Sequence, residues 1–392
     1  MPRTAASGRI RSYTACRMRR RSISAAAAVL AVALVGAALA IAKLPQYDAP
    51  IPYTAGTDAY PVAVADFDGD KRLDVATGNE GDDTVSLLFG KGQPGEFGEG
   101  GDIPAGDYPF GIVTGDFAGD KSVDIAVADY EGSKVAILEG NGEGDFGPPD
   151  LLPVPEGPYS IAKGNVNGDK FPDLVTANYS DGSFSLLAGR KNGFAGFQAF
   201  NVGSGGSVPS SIALGQFDGK GAKDVAVLAS GEGVYIFRGR GEGDFRAGKL
   251  VDVPGLGDAY GMTTGQFDGR PGRDIFVSSC TDDPTNYLLR AKGPKGVKYK
   301  KPKRYNGGSC PYQSTAADVN GDGRTDAVVS SDNGGKVSVF YNSNKGLRKK
   351  PKSYPAVSEA YSVATGDFNK DGIQDFAVPD YSNPETAIVL SK

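Results

Sequence analysis

The stretch "VADFDGDKRLDVAT", residues 64–77, sets Asp66, Asp68, Asp70 and Asp74 within nine residues between two apolar runs. Carboxylates that close repel one another unless a cation lies among them. Acids at positions 1, 3, 5 and 9 of one short loop read either as a metal site or as an Asp-rich turn that caps the strands without metal. The stretch is not alone. It recurs as "GDFAGDKSVDIAV" (115–127), "GNVNGDKFPDLVT" (164–176), "GQFDGKGAKDVAV" (215–227), "GQFDGRPGRDIFV" (265–277), "ADVNGDGRTDAVV" (317–329) and "GDFNKDGIQDFAV" (366–378). Position 1 falls at residues 66, 116, 165, 216, 266, 318 and 367, at spacings of 49 to 52.

Each period reads as four short strands. A first strand runs from Tyr60, Phe110, Tyr159, Ser210, Tyr260, Tyr312 or Tyr361 into the motif. A second follows it (Val75–Thr77 in the first copy), then a third (Val85–Phe89) and a weaker fourth around Ile103, Val253, Tyr305 and Tyr354. Seven such units predict an all-β chain, a seven-bladed β-propeller of four-stranded blades. The residue before each motif is Ala or Gly, which suggests crowded backbones where first strands converge. The chain stops after a third strand, "TAIVLSK", while residues 46–55 look like an orphan fourth strand. Pairing the two closes the ring and removes two open sheet edges.

Composition excludes several chemistries. With no His, neither Ser-His-Asp nor Cys-His catalysis nor His-ligated zinc is available. Residues 1–22 hold seven arginines and no acid, and residues 23–42 are an Ala-rich apolar run. Residues 1–42 therefore read as an export signal, or as an uncleaved N-terminal membrane anchor, with the propeller over 43–392. Removing 1–42 takes seven of the 42 basic residues, leaving 35 against 47 acidic ones, a net charge of −12. Such an acidic chain is no partner for nucleic acid. A secreted or surface location follows, with membrane contact only if the segment is retained. Cys280 and Cys310 remain as one pair in an oxidising compartment, either as a disulfide or as two free thiols.

The repeat resembles the FG-GAP/VCBS family, the propeller type of integrin alpha-chain heads. The Asp-x-Asp-x-Asp-x-x-x-Asp loops carry the resemblance, with Phe97-Gly98, Phe146-Gly147 and the Gly-Pro-Tyr at 157–159. Kelch and WD repeats have similar periods but carry signature tryptophans, and this chain has none. The resemblance implies calcium bound in the loop between first and second strands, on the lower end of the ring.

The copies differ as metal loops. Asp66, Asp68, Asp70 and Asp74 give four acids; Asp318, Asn320, Asp322 and Asp326, and Asp367, Asn369, Asp371 and Asp375, give three acids and an amide. Asn165, Asn167, Asp169 and Asp173 form a weaker set. Asp116, Asp120 and Asp124 lack a position 3 ligand, since Ala118 stands there. In the fourth and fifth copies Gln216 and Gln266 replace the first acid, and Lys220 and Arg270 occupy position 5. Salt bridges to Asp218 or Asp224, and to Asp268 or Asp274, are expected there instead of calcium.

Function is then expected on the upper end, where second-to-third turns emerge. Tyr130, Tyr179 and Tyr381 end second strands and are candidates for stacking on a sugar ring; the aromatics that begin first strands either join them or pack inside the ring. Two basic clusters, Lys292–Arg304 and Lys345–Lys352, either dock an anionic surface or protect sheet edges. The leading expectation is a secreted, calcium-stabilised binding or scaffold module for an extracellular glycan or protein. The alternative is a polysaccharide lyase or hydrolase, against which no pair of carboxylates is seen to stand apart from the loops. A partner domain with no ligand of its own is the third.

Overall fold

In the computed structural model the described residues are 44–281, 284–332 and 334–392; the proposed signal lies outside them. Seven four-stranded antiparallel sheets form the ring. Blade 1 runs Ala59–Ala65, Asp74–Asn79, Thr84–Gly90 and Phe97–Pro104, and blades 2 to 6 repeat that order. Blade 7 is composite: Ala364–Gly366, Asp375–Asp380 and Glu385–Val389 are completed by Ile51–Thr54, with Ile51 opposite Ile388 and Thr54 opposite Glu385. Closure by the N-terminal strand is thus as the sequence predicts. The first strand of blade 7 starts only at Ala364, shorter than the run from Tyr361.

First strands of successive blades adjoin around the axis, and those of blades 7 and 1 meet. The core is accordingly layered between blades. Phe67, Val85 and Leu87 of blade 1 meet Ile125, Val127 and Leu138 of blade 2. The Phe-Gly dipeptides, and Phe194-Ala195 in their place in blade 3, staple these layers. Phe97 packs on Phe368 of blade 7 with centroids 5.3 Å apart, Phe146 on Phe67 at 5.8 Å, and Phe194 of blade 3 on Phe117 at 5.9 Å. Each reaches back to the aromatic at motif position 2 of the preceding blade.

The small residue before each motif has a different reason from the one expected. A Cβ on Gly366 would lie 2.9 Å from Phe368 and 2.9 Å from Leu73 of blade 1. A Cβ on Gly265 would meet Phe267 at 3.0 Å and Thr325 of blade 6 at 2.9 Å. Side chains, not backbones, crowd this position; backbones crowd farther up the strand, at Gly111 and Gly261. Motif position 4 needs a left-handed backbone, which Gly69 (φ 76°) and Gly321 (φ 67°) supply without cost. Lys370 holds that conformation (φ 61°) in blade 7.

Candidate functional sites at the two ends of the ring

The motif's last aspartate is the best-ordered part of each loop. Asp74 is fully buried; its Oδ2 accepts the Phe67 amide (2.6 Å) and its Oδ1 the Gly90 amide (2.8 Å). The same two bonds recur at Asp124, Asp173, Asp224, Asp274, Asp326 and Asp375. One carboxylate thus clamps the motif loop to the chain leaving the third strand. This explains why Asp224 and Asp274 persist where the acids of positions 1 and 5 are lost. Burial pushes Asp74 and Asp274 up to about 6 and Asp326 up to about 7, against the amides that pull them down. Asp68 and Asp66 add repulsion at Asp74, as Asp322 and Asp318 do at Asp326.

In the first loop, oxygens of Asp66, Asp68 and Asp74 lie within 4.8 Å of one another, a separation that one calcium ion with oxygens at roughly 2.3–2.6 Å would bridge. Asp70 is turned aside to Arg72 at 2.7 Å. In the sixth loop Asp322 pairs with Arg324 at 3.2 Å and accepts the Asn320 amide at 3.4 Å. In the seventh, the Ser391 hydroxyl donates to Asp371 (3.0 Å) or Asp375 (2.7 Å), and Asn369 leans on Asp371. In the third, Asn165 bonds the Asp169 carbonyl, while the Asn167 amide spans Asp169 (2.9 Å) and Asp173 (3.3 Å). In the second, Asp116 and Asp120 accept only backbone amides of their own turn. The donor set of the first loop fits calcium best.

The two cationic copies differ. Arg270 meets Asp268 at 3.9 Å, which Lys300 also approaches at 3.9 Å. Lys220 makes no ion pair among the described residues, contrary to expectation. Asp224 is buried and already saturated by three amides, and Asp218 accepts the Lys220 amide instead.

At the upper end, aromatics plug the axial channel. Tyr60 and Tyr159 are buried; Tyr60 packs on Phe110 at 4.6 Å, Phe110 on Tyr159 at 4.2 Å, and Tyr260 on Tyr312 at 4.6 Å. The Tyr159 and Tyr312 hydroxyls meet across the axis at 3.1 Å. So the strand-starting aromatics pack inside the ring. Around this plug stand the half-buried Tyr130, Tyr179 and Tyr381, joined by Tyr108. Tyr179 stacks on Tyr159 at 5.3 Å, Tyr381 meets Tyr361 edge-on at 4.7 Å, and Tyr130 lies 6.3 Å from Tyr108. Tyr108 holds a left-handed backbone (φ 66°), a strained state for an aromatic residue.

A family described as FG-GAP-like repeat matches residues 66–127, 116–176 and 318–378. The chain carries FG-GAP-like repeats. The matched segments span the acid-rich copies and omit the fourth and fifth. No curated protein matches by sequence. Among solved structures, the propeller is similar to BBS1N in complex with ARL6DN, in a lead-soaked crystal: TM-score 0.62, 15% identity, covering 89% of this chain and 98% of that one. The mercury-soaked crystal gives 0.60, 15%, 88% and 96%. A lectin of Agrocybe aegerita, described as recognising non-reducing terminal N-acetylglucosamine, gives 0.53, 16%, 82% and 85%. At these identities the likeness is one of fold.

Two side chains at the upper end are not singled out by the sequence pattern. Glu80 and Asp332 occupy the position that Tyr130, Tyr179 and Tyr381 hold in their blades, six residues after the clamping aspartate. They are carboxylates apart from the loops, contrary to expectation, and that alignment was the available signal. Glu80 is 2% exposed, and its Oε1 has no hydrogen-bond partner. Burial pushes it up to about 8, against the nearby phenols of Tyr108 and Tyr381. Asp332 is also raised, by burial and then by Glu359. In the same end, Cys280 and Cys310 form a disulfide with Cα atoms 4.3 Å apart, tying a blade 5 second strand to the turn entering blade 6.

Proposed function

We propose that the chain is an exported, calcium-stabilised propeller that binds a glycan or protein through its upper end. One observation carries this reading: Tyr108, Tyr130, Tyr179 and Tyr381 form a half-buried aromatic surface over a plugged channel, at the end opposite the acidic loops. Tyrosine faces stack on sugar rings and their hydroxyls bond the rim, and the same side chains anchor protein interfaces. The strain held at Tyr108 supports a role for that side chain. The fold neighbours lend support in kind: one is seen with ARL6DN, another is described as recognising N-acetylglucosamine. Calcium at Asp66, Asp68 and Asp74 would be structural, cancelling their mutual repulsion.

A second reading, a polysaccharide lyase or hydrolase, draws on Glu80, a buried carboxylate held up to about 8 beside two phenols. A glycan array run beside a reducing-end assay on uronic-acid polymers separates the two. Array signal that is lost in a Tyr130→Ala/Tyr179→Ala/Tyr381→Ala variant supports binding. Polymer cleavage that is lost in Glu80→Gln supports the enzyme, and silence in both assays for the array and for pulled-down protein partners sinks the binding reading.

A further inference from the structure

At the lower mouth of the ring the fourth and fifth copies replace the first acid with Gln and place a cation at position 5. Gln216 and Gln266 stand where other blades present Asp66, Asp116, Asp318 and Asp367. Beside them Arg273 extends from blade 5 over blade 4. A Cβ on Gly215 would lie 2.7 Å from its Cδ and 3.0 Å from its Nε, so the glycine makes room for it. Arg273 Nη1 donates to Thr264 Oγ1 at 2.9 Å, and the guanidinium makes no ion pair among the described residues. It borders a cavity of about 600 Å³ that Gln216, Gln266, Thr264 and Thr325 also line. Two basic hollows adjoin, one with Lys220, Arg238 and Arg246, the other with Lys292, Lys298 and Lys301. They are held together where the Gly296 amide bonds the Asp218 carbonyl at 2.8 Å, laying the blade 5 connection on the blade 4 motif loop.

We propose that this face binds an anionic glycan, with a carboxylate or sulfate on Arg273 and sugar hydroxyls on Gln216, Gln266, Thr264 and Thr325. A half-buried guanidinium without a carboxylate partner has N–H donors that match a pair of oxygens on a carboxylate or a sulfate. Neutral amides and hydroxyls suit a polyol, and the volume takes a sugar-sized group. No aromatic ring lines the cavity, so a nucleic-acid base has nothing to stack on. The flanking lysines steer the polymer, and their share falls with salt. The site is independent of the tyrosines at the other end.

Calorimetric titration of the full chain with polygalacturonate and with heparin-derived oligosaccharides tests this. Binding of either supports the proposal, and the preference between them names the oxyanion. Arg273→Gln is expected to weaken binding at least about tenfold, the scale of a lost charged hydrogen bond. The exposed pair Lys292→Gln/Lys298→Gln, which the fold tolerates, should weaken it a few-fold at low salt and less at high salt. The upper-end tyrosine variant should bind as the parent does. The proposal is overturned if neither oligosaccharide binds, if a folded Arg273→Gln binds equally, or if duplex DNA or phosphatidylserine vesicles bind more tightly than both.

Discussion

Asp224→Ala isolates the carboxylate clamp in a blade whose loop, with Gln216 and Lys220, offers calcium little. Asp224 is 1% exposed and accepts the amides of Phe217 (2.8 Å), Asp218 (3.0 Å) and Gly239 (3.0 Å). Truncation leaves the buried Phe217 amide and the half-buried Gly239 amide without an acceptor, at about 1–3 kcal/mol each, so a loss of about 4 kcal/mol is expected. A ring of roughly 350 residues has an unfolding entropy near 0.7 kcal/mol/K, so the melting temperature should fall by about 5–6 °C. Scanning calorimetry in calcium and in EDTA reads this out, and the drop should be the same in both. Asp74→Ala removes the same clamp and a calcium ligand, so its drop should be larger in calcium than in EDTA. An Asp224→Ala protein melting within about 1 °C of the parent would refute the clamp. So would an effect that disappears in chelator.

EDTA alone should lower the melting temperature, and Asp66→Asn/Asp68→Asn should remove most of that sensitivity; unchanged unfolding in chelator ends the metal reading. Reduction, or Cys280→Ser/Cys310→Ser, opens a loop of 30 residues worth about 3–4 kcal/mol in the chain-entropy model, and alkylation without reductant followed by mass spectrometry should find both sulfurs blocked. Glu80 has its folded value raised from 4.5 to about 8, so the folded state holds the proton more tightly. Its contribution is complete below pH 4.5 and is lost as pH rises toward 8; Glu80→Gln should therefore flatten the melting temperature between those limits, and a parallel slope in both proteins excludes the assignment.

The blade number, the four strands per blade and the closing strand were legible because they rest on local chemistry repeated seven times. Asp-Gly turns, alternating apolar residues and an orphan fourth strand need no knowledge of distant neighbours. The loop acids were legible as a pattern, yet their division of labour was not. Asp74 serves the backbone first, Asp70 turns to Arg72, and Asp224 is closed to Lys220 because three amides already hold its oxygens. What the tertiary structure alone decided lies on or near the axis, where residues 28 to 301 positions apart converge. Tyr159 meets Tyr312, Glu80 is sealed between Tyr108 and Tyr381, and Arg273 rests on Gly215 of the preceding blade. A linear pattern specifies each blade, but only ring closure decides which side chains of different blades share the centre, and both ends of this protein take their chemistry from that meeting.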